Sequence, residues 1–109
     1  MMEKLYTNHA LRVLSKPVLN FDKITASASP APNRWSDKVP SRELTVAEIE
    51  EYIDAFAKTA VLLKEAGVDG VEIHAVHEGY LLDQFTLKYV NKRTDEYGGS
   101  LENRYRFAA

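Results

Sequence analysis

Cysteine is absent from the 109 residues. That excludes a disulfide framework, a Cys-ligated zinc site and an iron–sulfur cluster built from these residues. Long apolar runs are missing too. Nothing approaches the ~18 apolar residues of a spanning helix, and the N-terminal MMEKLYTNHALRVLSK has no apolar signal core. The expectation is a chain that is neither exported nor membrane-bound, in a cytoplasmic setting. No block of one charge occurs: 16 Asp and Glu against 14 Lys and Arg leave a net charge of −2. Such a balance gives no electrostatic footprint for nucleic acid or an anionic surface. Prolines are few and confined, with Pro17, Pro30, Pro32 and Pro40 all inside residues 17–42. What remains, 45% hydrophobic and 28% charged residues, is the composition of one small globular domain with a modest core.

Residues 1–16 carry Leu5, Tyr6, Leu11, Val13 and Leu14 at spacings that favour neither strand nor helix. The proline-bearing stretch 17–42, with Ser27, Ser29, Asn33 and Ser36, reads as an unusually long loop. At Thr45-Val46-Ala47-Glu48 the pattern becomes a capping box, and Ile49, Ile53, Phe56, Ala60 and Leu63 follow as one apolar stripe. The spacing predicts a helix over 45–66 that covers a sheet, ended by Gly67. Val68, Val71 and Ile73 then read as a buried parallel strand over 68–74. Residues 75–109 read as a functional loop, with one or two helical turns at Tyr80–Phe85 and a further helix starting after Ser100. Stopping inside that last element, the chain reads as a piece of something larger.

The predicted strand ends at a cluster of proton-bearing side chains, His74, His77, Glu78 and Tyr80. In α/β sheets and barrels, ligands bind at the carboxyl ends of strands. Two imidazole N–H groups aimed at a carbonyl oxygen would stabilise negative charge there, and a placed phenol can deliver a proton. The bland alternatives stay open: a strand-end histidine capping carbonyls, a loop histidine, a packed tyrosine and a solvated glutamate. A metal-dependent hydrolase using His74, His77 and Glu78 is also open, although HAVHE matches neither H-E-x-x-H nor H-x-x-E-H and no metal is expected. The run Asn91 to Glu96 reads, on charge alone, as a solvated loop.

The stretches GVDGVEIHAVHEGYLLDQF and NKRTDEYGGSLENRYRF, preceded by SASPAPNRW and RELTVAEIEEY, resemble the old yellow enzyme family of flavin-dependent oxidoreductases. The form HAVHEGYLLDQF looks most like the branch of 2-enoate reductases, 2,4-dienoyl-CoA reductases and bile-acid-inducible oxidoreductases. The resemblance runs from about Ser27 to Phe107 and leaves residues 1–16 poorly matched. It implies part of a (β/α)₈ TIM barrel around its fourth strand, with FMN as cofactor, NADH or NADPH as reductant, and an enone, enoate or enoyl-CoA substrate. It further implies that His74 and His77 bind the substrate carbonyl and that Tyr80 is the catalytic proton donor. The main flavin contacts are expected outside these residues, as are the 4Fe-4S cluster and FAD that larger members carry. One departure stands out: Glu78 is an extra residue between the second histidine and Gly79-Tyr80. The competing expectation is a truncated, non-catalytic chain that binds no flavin.

Overall fold

The structure, a computed structural model, describes residues 25–33, 36–75, 77 and 80–109. Three strands come first: β1 (Ala26–Ser27), β2 (Ala31–Asn33) and β3 (Ser36–Glu43). The helices α1 (Val46–Glu65), α2 (Leu81–Thr86) and α3 (Leu101–Tyr105) follow. The fold of the described residues is therefore α/β.

The stretch expected to be a long loop holds the whole sheet, in the order β1-β3-β2. Residues 17–24 of that expectation, and the ill-defined segment 1–16, lie outside the described residues. β1 runs parallel to β3, with Ala26 opposite Arg42 and Ser27 opposite Glu43. β2 runs antiparallel to β3, with Ala31 opposite Ser41 and Pro32 opposite Pro40. The prolines concealed these strands because proline usually interrupts a ladder. Here they face each other, a position that fits a non-hydrogen-bonded pair needing neither N–H. The register then shifts between Pro32 and Asn33.

α1 starts as its sequence dictates. Thr45 Oγ1 accepts from the Glu48 N–H at 3.2 Å, and Glu48 Oε2 accepts from the Thr45 N–H at 2.9 Å. Arg42 grips the same carboxylate with two bonds, of 2.8 and 2.5 Å. At the other end Gly67 has φ +86°. The Gly67 N–H donates to Lys64 O and the Val68 N–H to Leu63 O, both at 3.0 Å, which is a Schellman closure.

Beyond α1 the structure departs from expectation. Residues 68–74 form no strand, because among the described residues no segment pairs with them. Val68, Val71 and Ile73 are about half exposed, at 45%, 52% and 49%. Nor does α1 cover the sheet: only its first turn enters the core, through Ile49, while Phe56 of the apolar stripe is 46% exposed. The stripe instead faces Val71 and Ile73 across an open groove of about 560 Å³.

The core lies where β1, the start of α1, α2 and the C-terminal segment meet. It comprises Ala28, Leu44, Ile49, Leu82, Phe85, Tyr97 and Phe107. Phe85 is its hub, edge-on to Tyr97 at 6.4 Å and to Phe107 at 5.0 Å between ring centroids, the arrangement aromatic quadrupoles favour. α3 begins as expected, with Ser100 Oγ accepting from the Asn103 N–H at 3.1 Å.

Candidate active site

The segment after α1 and the start of α2 bring three side chains together. His74 follows Ile73 at the end of the extended apolar run, and Tyr80 is the N-cap of α2. His77 lies on the loop between them. The rings of His74 and His77 are 5.2 Å apart between centroids, those of His74 and Tyr80 5.6 Å, and those of His77 and Tyr80 5.5 Å. All three are exposed. The extra Glu78 itself lies outside the described residues.

The loop is anchored from α2. Asp83, only 2% exposed, accepts the His77 N–H on its carboxylate at 2.5 Å. The Tyr80 carbonyl accepts from the Gln84 N–H at 3.1 Å, the first bond of the helix. Sequence reasoning missed Asp83. Its position three residues after Tyr80, in the first turn of a short helix, was the available signal, but the same position also suits an ordinary solvated acid.

The stretch 91–96 is a loop with Lys92, Thr94 and Glu96 exposed, but Asn91 and Arg93 are not solvated as the charge pattern suggests. Asn91 and Arg93 are 5% and 6% exposed. Arg93 Nη1 donates to Ala28 O at 2.9 Å and to Leu44 O at 2.6 Å, and Arg93 pairs with Asp95 at 2.6 Å. The Arg93 guanidinium holds the Asp95 carboxyl below its ordinary range, against the opposing effect of burial. Asn91 Nδ2 donates to Phe85 O at 2.8 Å and Tyr97 O at 2.7 Å, while its Oδ1 accepts from the Arg93 N–H at 3.0 Å. This polar interior ties the end of β1, the α1 entrance and the end of α2 together. Burial, then the charges of Glu50 and Glu96, push the Tyr97 hydroxyl above its ordinary range.

The described residues thus form an α/β body that presents two imidazoles and a phenol, exposed and close together. The sequence model of the NADH:flavin oxidoreductase / NADH oxidase family matches residues 14–109, reaching further towards the N-terminus than Ser27. The chain belongs to that family. It is 59% identical over 86 residues to a cinnamate reductase of Clostridium sporogenes, an alignment covering 79% of this chain and 13% of the relative. To an NADPH dehydrogenase of Bacillus cytotoxicus it is 45% identical over 92 residues, 84% of this chain and 25% of that one. A solved complex of 2-naphthoyl-CoA reductase with 2-naphthoyl-CoA matches with a TM-score of 0.70 at 42% identity, over 76% of this chain and 12% of that chain. The chain thus spans about an eighth to a quarter of the length of these relatives.

Proposed function

We propose that the chain supplies the carbonyl-binding and proton-donating wall of an FMN-dependent reductase of C=C bonds conjugated to a carbonyl. The carrying observation is the convergence of His74, His77 and Tyr80 within 5.2–5.6 Å of one another. The donor set suits this chemistry, because the imidazole N–H groups of His74 and His77 bind the carbonyl oxygen and stabilise the negative charge that develops on it. The Tyr80 phenol then gives its proton to the α-carbon. FMN, when bound, would supply the hydride for the β-carbon, with NADH or NADPH as the reductant. The names of the relatives support an enoate or CoA-thioester substrate. The family resemblance implies that residues 68–74 are the fourth strand of a (β/α)₈ barrel, a strand that pairs only when neighbouring strands stand beside it.

The test is binding of 4-hydroxybenzaldehyde to the FMN-loaded full-length reductase of which this chain is proposed to be one wall, read from the flavin visible spectrum. His74→Ala and His77→Ala are each expected to weaken it, and to lower turnover of an enoate by about 10²–10³ where turnover is measured. Unchanged spectra would overturn the reading.

A second reading, that the 109-residue chain alone holds no flavin, is favoured by the stretch 68–74, which pairs with no segment among the described residues, and by its half-exposed Val71 and Ile73. Purifying the chain with FMN decides it, since a stoichiometrically yellow protein defeats this second reading.

A further inference from the structure

We infer that Asp83 is a positioning residue, holding His77 by its backbone so that the imidazole stays beside His74 and Tyr80. The inference rests on the reading of the histidines as carbonyl donors. A buried carboxylate is costly unless hydrogen-bonded, and Asp83 is 2% exposed in a short helix whose neighbours Leu82 and Phe85 belong to the core. Its carboxylate reaches back six residues to the His77 N–H, at 2.5 Å. Meanwhile the Asp83 backbone is itself fixed. Its carbonyl accepts from the Leu87 N–H at 2.9 Å and from Thr86 Oγ1 at 3.0 Å.

The consequence is geometric. Tyr80 is placed because it begins α2, and the tether places His77 against the same helix. Both rings therefore take their position from one rigid element, although one of them sits on a loop. Sites hold their geometry when each contributing group is locked by a supporting bond, and a misplacement of about 1 Å can cost about 10²-fold in rate. In this scheme Asp83 touches no reacting atom and acts through His77.

The first measurement needs no variant and no flavin. In the unsubstituted chain the His77 amide, in an exposed loop, is expected to exchange with solvent at least about tenfold more slowly than unbonded loop amides. Free exchange overturns the tether. On the FMN-loaded protein, Asp83→Ala is expected to weaken 4-hydroxybenzaldehyde binding by about tenfold or more, whereas Asp83→Asn, which keeps an acceptor oxygen, recovers it to within about threefold. Unchanged binding in a folded Asp83→Ala protein, or loss in Asp83→Asn equal to that in Asp83→Ala, overturns the positioning role. Should Asp83→Ala fail to fold, the exchange measurement and Asp83→Asn decide. If His74→Ala leaves binding intact while the His77 amide stays protected, the reading of the site fails and the tether stands.

Discussion

Arg93 has its side chain 2% exposed, and its acceptors Ala28 O and Leu44 O lie 65 and 49 residues away in the chain. Its guanidinium also lies 5.7 Å from the Phe85 ring centroid, close enough for a cation–π contribution. One side chain thereby fastens the strand region, the entrance to α1 and the aromatic core. Replacing it with Met keeps the volume but leaves two buried carbonyls without their donor, each worth about 1–3 kcal/mol. Arg93→Met is expected to destabilise the chain by about 3 kcal/mol, measured by urea denaturation; a loss below about 1 kcal/mol would refute the role assigned to it. Nothing in the spacing of Asn91 to Glu96 reveals this. A charged run reads as solvated until the chain brings carbonyls to it. By contrast His74, His77 and Tyr80 are close in sequence, and a short loop is enough to gather them. Their gathering was legible for that reason, while Asp83 was not, since a carboxylate's burial depends on the core that α2 packs into.

At the scale of elements, α1 is the clearest case of local instruction. Its start and its stop are made by residues within a few positions of each end, so the capping box and the Gly67 turn were readable directly. The one non-obvious addition is Arg42, whose guanidinium, followed by the Thr45 N–H, lowers the Glu48 carboxyl from 4.5 to about 2. A lowered folded-state value means the unfolded chain binds the proton first. The capping contribution is therefore complete above about pH 4.5 and is lost as the pH falls towards about 2. Thermal melts of the chain are expected to show a fall in Tm across that window that is smaller in Glu48→Gln. An equal fall in both proteins would sink this explanation. The strands behaved differently. β2 and β3 contain the prolines that mark loops in a sequence, and only their mutual register makes those prolines tolerable. Residues 68–74 show the converse: a β-branched pattern proposes a strand, but a strand exists only through its partners.

Across the whole molecule, apolar surface is distributed unequally. One end is packed around Phe85, while Phe56, Val71 and Ile73 remain about half exposed along the groove. Exposed apolar side chains along a groove are where a hydrophobic dye would bind. Phe56→Gln is expected to reduce fluorescence of a bound hydrophobic dye severalfold without loss of helical ellipticity. Unaltered dye binding would show that the groove is not the apolar surface responsible.

The sequence by itself determined the features made by near neighbours: the limits of α1, the Ser100 cap, and the grouping of two histidines and a tyrosine that carries the family resemblance. These need only a few consecutive residues, and their hydrogen bonds close within a turn or a loop. The tertiary structure alone decided that Arg93 and Asn91 are interior, that Asp83 holds His77, that the proline-bearing stretch forms a sheet and that 68–74 stands unpaired. Arg93 depends on carbonyls 65 and 49 residues away and 68–74 on the lack of a pairing partner among the described residues, while the bonds of Asn91 and Asp83 span only six residues and depend on the core packed around them. Burial and ladder pairing are properties of two segments at once, which no single stretch of sequence contains.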